Sequence, residues 1–158
     1  MAGSSECPRR EMHALPLNAY IVEDNPALRA SLCEALLELA GIVTCGQSGR
    51  ADEAIAWLGD PVHAWDLAIV DLVLEPGGSG LQVLRALAGR PPGRKVVVLT
   101  ATAHPDVRRE CRALGSGGVF DKAMETEALL DWCVRLAGPR PPDAMTRPGD
   151  AGSAPMSR

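Results

Sequence analysis

The sequence predicts a three-layer α/β/α sandwich built on a five-stranded parallel sheet. Short apolar segments typical of buried strands alternate with segments whose apolar residues recur at helical spacing, which is the pattern of βαβ units. Aromatic residues make up only 3% of the chain, so aliphatic side chains must fill the core. Right-handed crossovers between successive parallel strands then place helices on both faces of the sheet.

Composition describes one globular domain. The chain has 158 residues, a formal net charge of −4 and 46% hydrophobic residues. With a single Tyr and a single Phe, it lacks the basic surface and the stacking platform that nucleic-acid binding needs, so we expect no nucleic-acid partner. No apolar run approaches the roughly 18 residues that span a membrane, and the first residues do not form a secretory signal. We therefore expect a cytoplasmic protein with no membrane partner.

The ends of the chain differ from its middle. Residues 1–16 mix charges and Pro without periodicity, and residues 139–158 are rich in Pro and Gly. Both segments predict disordered tails around a folded domain at residues 17–138. The last segment is too short and too Pro-rich to form a second domain, so we expect output through another protein.

In the first half, the elements begin with a strand at Asn18–Val22. Asn25 is expected to cap a helix that ends at Gly41, because Asn is a preferred N-cap and Gly a preferred C-terminal stop. A short second strand is predicted at residues 42–45, and Ser48 is expected to cap the second helix. The apolar face of the first helix is predicted to comprise Leu28, Leu32, Ala35, Leu36 and Leu39.

The second half repeats the alternation. Its third and fourth strands have continuous apolar middles, which predicts burial on both faces. The elements are strand 66–71, a glycine-rich turn at 77–80, a third helix directly after it, strand Lys95–Thr100, helix 104–114, strand 118–120 and helix 125–136.

Polar side chains follow four of the predicted strands. Glu23 and Asp24 end the first strand, Asp71 the third, Thr100 the fourth, and Lys122 follows the fifth. In a parallel sheet, ligand chemistry gathers at the carboxyl ends of the strands. We therefore expect three carboxylates, one hydroxyl and one ammonium in a single crevice.

Such a crevice predicts a divalent metal. Three neighbouring carboxylates repel one another unless a cation neutralises them. An oxygen-only ligand set without Cys or His favours Mg²⁺, with Mn²⁺ as the other candidate, over Zn²⁺. A carboxylate between a metal and a lysine could act as a nucleophile and form an acyl phosphate.

These residues, in this order at these strand ends, resemble the signature of response-regulator receiver domains. The resemblance covers the folded domain and implies a flavodoxin-like sheet with strand order 2-1-3-4-5. It implies that Asp71 accepts a phosphoryl group from a histidine kinase or a histidine phosphotransfer protein. It also implies that Thr100 binds a phosphoryl oxygen after moving toward it, and that Lys122 pairs with the acceptor site.

By the same resemblance, the metal is held by four residues. Asp24 and Asp71 match direct Mg²⁺ ligands, together with the backbone carbonyl of Val73, while Glu23 usually reaches the metal through water. The chain would then be a phosphoacceptor with weak self-dephosphorylation rather than an enzyme, and it would signal through a partner protein.

Three positions depart from the family pattern. Val119, three residues before Lys122, stands where the family usually has Tyr or Phe, so coupling between Asp71 and the fourth helix is the doubtful step. Ala123 replaces the usual Pro after Lys122, which predicts an ordinary trans peptide bond. Val73 offers no polar side chain to orient an attacking water, which predicts a long-lived phosphoryl group.

Other functions remain open. The chain could be a receiver-fold interaction module that acts independently of phosphorylation, and Val119 gives this alternative some weight. A Mg²⁺ phosphohydrolase of the haloacid-dehalogenase type is more remote, because its motif places a second Asp where Val73 stands. The kinase, the output partner and the formation of a homodimer are left undetermined by the sequence.

Overall fold

The computed structural model describes residues 15–139, and it shows a three-layer α/β/α sandwich. The elements are β1 Asn18–Val22, α1 Pro26–Ala35, β2 Val43–Ser48, α2 Ala51–Gly59, β3 Leu67–Val70, β4 Val73–Leu74, β5 Gly78–Ser79, α3 Gly80–Ala86, β6 Lys95–Thr100, α4 Pro105–Ala113, β7 Val119–Asp121 and α5 Thr126–Ala137. Five parallel strands pair in the order β2-β1-β3-β6-β7. β4 and β5 form a separate hairpin, so β6 and β7 are the fourth and fifth strands of the parallel sheet. The predicted fold class and the strand order 2-1-3-4-5 are therefore confirmed. The predicted tails fall almost wholly outside the described residues.

The two faces of the sheet carry separate apolar clusters. Along β1, Ala19 and Ile21 belong to one cluster, whereas Tyr20 and Val22 belong to the other, as the alternation of side chains in a strand requires. Residues of α1 and α5 pack on the first face, and residues of α2, α3 and α4 pack on the second. Within residues 15–139, no helix is long and apolar enough to cross a membrane.

The central strands are buried on both faces. All four residues of β3 are at most 1% exposed, and Val96 to Leu99 of β6 are at most 2% exposed. Full burial of one Val, Leu or Ile side chain contributes about 1.5–3 kcal/mol, so these two strands anchor the sheet. Their continuous apolar sequences correctly predicted this position.

The first helix departs from its predicted face. After Ala35 the helix continues as a π-helix over Leu36–Ala40, and Gly41 ends it with a left-handed φ of 68°. A π turn takes an extra residue, so the apolar face rotates. Leu39, predicted to point inward, is 53% exposed, and Ala40 is buried in its place.

The second strand is longer than predicted. It covers Val43–Ser48 rather than residues 42–45, because it stays paired with β1 up to Ser48 and Val22. Ser48 is therefore the end of a strand, and the N-cap of α2 is Arg50. The Ser48 hydroxyl still serves this helix start: it accepts the Arg50 N–H at 3.0 Å and donates to Glu53 at 2.8 Å.

A small hairpin that the sequence did not predict lies after the third strand. Val73 pairs with Ser79 and Leu74 pairs with Gly78, which has a φ of 100° that favours glycine. Ser79 then caps α3 in a capping box with Gln82. The hairpin fills the segment between Asp71 and α3, beside the carboxyl edge of the sheet.

Candidate functional site

Three carboxylates meet at the carboxyl edge of the sheet. Glu23 and Asp24 follow β1 and Asp71 follows β3, and the pairing of Val22 with Val70 sets the two strand ends side by side. One oxygen from each carboxylate lies within 4.8 Å of the other two. The fold therefore gathers three acidic groups that are far apart in the sequence.

Lys122 completes this cluster. Its ammonium Nζ lies 2.7 Å from Oδ2 of Asp71 and 2.8 Å from Oε1 of Glu23, so it bridges the ends of two strands. The Lys122 backbone N–H donates to the Thr100 carbonyl at 3.0 Å, which fixes the loop after β7 against the end of β6. The lysine thus reaches the carboxylates from a third strand end.

Burial makes the charges in this cluster interact strongly. Glu23 and Asp71 are 2% and 4% exposed, respectively. Burial raises the pKa of Glu23. Burial also acts to lower the pKa of Lys122, but hydrogen bonds to Asp71 and Glu23 outweigh it and raise that pKa above its ordinary value. The lysine therefore stays charged beside the carboxylates.

Asp24 lies nearer to solvent and is held by the hairpin segment. Its Oδ2 accepts the backbone N–H of Glu75 at 2.8 Å. Burial acts to raise the pKa of Asp24, but hydrogen bonds, with that of Glu75 foremost, lower it below its ordinary value. The lowered pKa therefore favours the ionised form of Asp24.

The segment after Asp71 begins inside the site. The Val73 N–H donates to Oδ1 of Asp71 at 3.3 Å, and the Val73 side chain is 44% exposed. At the far end of this segment, α3 starts so close to the strand that a Cβ on Gly80 would overlap the Asp71 carbonyl oxygen. Glycine is required there by close backbone approach.

Thr100 lies buried at the end of β6. It is 0% exposed, and its hydroxyl lies 3.2 Å from that of Thr102. Because β6 neighbours β3 and its next partner is β7, Thr100 stands between the strands that carry Asp71 and Lys122. All of the predicted site residues therefore lie at one edge of the sheet.

Comparison with known proteins identifies this arrangement. The family model described as the response regulator receiver domain matches residues 19–133. The chain belongs to the receiver domain family. Its parallel sheet, its strand order and its acidic edge are therefore those of a receiver domain of two-component systems.

Curated relatives of this receiver domain are response regulators. It is 24% identical over 114 residues to response regulator UvrY of Escherichia coli, covering 72% of this chain and 51% of UvrY. It is 35% identical over 107 residues to the C4-dicarboxylate transport transcriptional regulatory protein DctR of Rhodobacter capsulatus, covering 68% of this chain and 51% of DctR. The chain thus spans about half the length of these relatives.

Solved structures share the fold. The response regulator domain of Thermotoga maritima CheB superposes with a TM-score of 0.67 at 14% identity, over 80% of this chain and 100% of that one. A chain from the CheX-CheY-BeF3-Mg complex of Borrelia burgdorferi gives a TM-score of 0.69 at 16% identity, over 77% and 90%.

The departures from the family pattern are visible in the receiver fold. Val119 is 7% exposed and packs in the cluster of the second face, whereas Phe120 packs against the first, as the alternation along a strand predicted. Among the described residues the cis peptide bond is Glu75-Pro76, so the bond between Lys122 and Ala123 is trans, as expected.

Sequence reasoning missed one feature beside the site. Arg108 of α4 donates to a carbonyl in the loop after Thr100, to the Val119 carbonyl and to the Glu125 carboxylate. Glu125 was visible in the Asp-Lys-Ala-x-Glu sequence after β7. Arg108 carried no signal, because α4 contains several arginines on a charged helix.

Proposed function

We propose that this receiver domain accepts a phosphoryl group on Asp71, with Mg²⁺, from a histidine kinase or a histidine phosphotransfer protein, and that it signals through a partner protein. The observation that supports this most is the Lys122 ammonium between Asp71 and Glu23, with Asp24 within reach of both carboxylates. A lysine that merely balanced surface charge would not need two buried partners.

The cluster fits a hard divalent cation. Three carboxylates face one ammonium, so negative charge is in excess, and two of these carboxylates are buried. In this proposal Asp24 and Asp71 are direct ligands of Mg²⁺ or Mn²⁺, with the Val73 carbonyl, and Glu23 acts through water. When bound, the cation neutralises charge on the phosphoryl oxygens.

The chemical step uses the Asp71 carboxylate as nucleophile. One of its oxygens forms a bond to phosphorus while the P–N bond of the donor phosphohistidine breaks. The imidazole nitrogen leaves with the electron pair of that bond, and the ring takes up a proton to become neutral histidine. Lys122 stabilises the charge that develops on the phosphoryl oxygens, and the Thr100 hydroxyl donates a hydrogen bond to one of them.

Incubation with acetyl phosphate and Mg²⁺ tests this function by intact mass spectrometry. The wild-type protein should gain the mass of one phosphoryl group as acetate leaves. Asp71→Asn should gain nothing, because an amide is a poor nucleophile. Asp106→Asn is the matched control, since Asp106 lies on the surface of α4 with a side chain 88% exposed, and it should behave like the wild type. A mass gain that persists in Asp71→Asn would contradict the proposal.

A long phosphoryl lifetime is also proposed. Val73 is half exposed beside Asp71 and offers only an apolar side chain, so it cannot orient a water for attack. Phosphate release at fixed Mg²⁺ should be slow in the wild type and faster in Val73→Asn, which supplies an amide. Release within seconds from the wild type would overturn this part.

A second candidate function is a receiver-fold interaction module that needs no phosphorylation. The observation that favours it is Val119, a small apolar residue packed where the family pattern expects a movable aromatic ring. The two functions differ in the acetyl phosphate experiment, since no Asp71-dependent mass gain would favour the second.

A further inference from the structure

The Arg108 guanidinium lies where three segments around the site meet. Its Nε donates to the Ala103 carbonyl at 3.1 Å, in the loop that follows Thr100. Its Nη1 donates to the Val119 carbonyl at 2.7 Å, and its Nη2 donates to Oε1 of Glu125 at 2.7 Å. A planar guanidinium can hold three acceptors in fixed directions, which an ammonium cannot.

Each of these acceptors lies close in sequence to a proposed site residue. Ala103 stands three residues after Thr100, while Val119 and Glu125 stand three residues before and after Lys122. Arg108 itself belongs to α4. One side chain therefore connects α4 with both loops that carry the hydroxyl and the ammonium of the site.

Glu125 passes this connection to the backbone beside the lysine. The same Oε1 that accepts from Arg108 also accepts the Asp121 N–H at 2.9 Å. Next along the chain, the Lys122 N–H donates to Thr100, and the Lys122 carbonyl accepts the Thr126 hydroxyl at 2.9 Å. A shift of this loop therefore reaches Arg108 through two consecutive hydrogen bonds.

Val119 lacks the movable aromatic ring that the family pattern has at its position. Its side chain is packed at 7% exposure in the cluster that contains Cys111 of α4. A valine has no ring to swing into space that opens when Thr100 moves. The Arg108 guanidinium, which donates to the Val119 carbonyl, instead connects the site with α4.

We propose that Arg108 is a positioning residue that links the Lys122 and Thr100 loops to α4. Phosphorylation of Asp71 then changes the conformation of α4 through the Arg108–Glu125 pair. The inference deepens the proposed function and rests on it. Both side chains are partly exposed, at 30% and 38%, so the pair can open and close without burying a lone charge.

Hydrogen exchange of α4 tests this link, with beryllofluoride and Mg²⁺ as the probe. Binding of beryllofluoride to the wild type should change the hydrogen-exchange rate of α4 by about fivefold or more, which is the lower end of typical coupling between sites. In Arg108→Lys, a charge remains but the three-way contact is lost, so the change should fall below about twofold.

The next residue on the helix supplies a matched control. Arg109 is 72% exposed and pairs only with Asp106 of its own helix among the described residues, so Arg109→Lys should respond like the wild type. Glu125→Gln keeps an acceptor oxygen for both donors and should retain most of the response, whereas Glu125→Ala should lose it. A merely structural role would lower stability in these variants without this order of responses.

The outcomes separate the inference from the proposed function. A phosphoryl mass gain from acetyl phosphate first shows that each variant is folded and can be phosphorylated. The inference is wrong, while the function stands, if Arg108→Lys can be phosphorylated and keeps the full α4 response. The same holds if the phosphorylated wild type shows no α4 response. If the wild type takes up no phosphoryl group, the proposed function fails and the inference fails with it.

Discussion

The two ends of the same parallel sheet treat polar groups in opposite ways. At the carboxyl end, Glu23 and Asp71 are buried beside each other with one shared lysine. At the amino end, Trp65 is 2% exposed and donates its indole N–H to the Leu58 carbonyl at 3.0 Å, with the Arg94 guanidinium 4.9 Å from its ring. One end gathers like charges, whereas at the other the Trp65 indole has a neutral acceptor and a cation beside its ring.

The amino end also has its own arginine. Arg90 donates to the carbonyls of Arg94, Leu87 and Gly115, at 2.6, 3.0 and 2.7 Å. Arg108 at the carboxyl end likewise holds two carbonyls, but its third partner is a carboxylate. Among the described residues, an arginine therefore binds only neutral carbonyl acceptors at one end, whereas at the other end an arginine also forms an ion pair.

This difference separates what the fold needs from what the site needs. Burying like charges together is unfavourable, and the amino end shows that the sandwich can be closed without it. Groups that violate ordinary packing rules are expected where a protein has a function to perform. This contrast supports our proposal that the carboxyl end is the functional end and that the amino end stabilises the sheet.

The largest expected effect is at the amino end. Trp65→Ala should lower the free energy of unfolding by about 3–5 kcal/mol, because it leaves a cavity under the sheet and removes a satisfied indole. Urea denaturation measures this loss. Trp57→Ala removes the same ring from a half-buried position on α2 and should cost less. Equal losses would contradict the claim that the burial of Trp65 makes it an anchor of the sheet.

Mg²⁺ should stabilise the protein only through the carboxyl end. At a concentration of 100 times Kd, binding should raise the free energy of unfolding by about 2.7 kcal/mol. Asp24→Asn should lose most of this gain in denaturation with and without Mg²⁺. The matched control is Asp66→Asn at the amino end, where the Asp66 carboxylate accepts the Asn18 N–H at 2.8 Å. An equal loss of the Mg²⁺ effect in both variants would contradict the assignment of the ends.

The smallest effect distinguishes the two arginines by pH. The hydrogen bond from Arg108 lowers the pKa of Glu125 below its ordinary value. Its stabilisation is therefore fully present above that ordinary value and is lost as the pH falls through the lowered one. Relative to Glu125→Gln, wild-type stability should decline on acidification over that interval.

Arg90 supplies the contrast for this measurement. Its acceptors are backbone carbonyls, which do not titrate, so the stability difference between wild type and Arg90→Lys should stay constant over the same pH interval. A similar pH dependence in both pairs of proteins would show that Arg108 and Arg90 make the same kind of contact.

The sequence predicted the regular parts of this structure because their signals are local. Strands Asn18–Val22 and Lys95–Thr100 were predicted to the residue, since continuous apolar segments end there at charged or polar residues. The convergence of acids and lysine followed from one rule of parallel sheets, because residues that end neighbouring strands meet at one edge.

The parts that were missed depend on contacts between distant segments. Leu39 was misplaced because a π turn is not encoded in hydrophobic spacing. The β4–β5 hairpin has only two residues in each strand, too few for a periodic signal. The contacts of Arg108 were hidden because its partners come from two loops and a strand that only the fold brings together.

The most direct test of the central claim is the location of the phosphoryl group. After charging with acetyl phosphate and Mg²⁺, borohydride reduces an acyl phosphate on Asp to homoserine, and peptide mass spectrometry identifies the residue. We expect homoserine at position 71 when Mg²⁺ is present, and its absence when the metal is chelated or Asp24 is replaced by Asn. Reduction at another acidic residue, or equal labelling without a divalent metal, would contradict the claim that this edge of the sheet is a metal-dependent phosphoacceptor site.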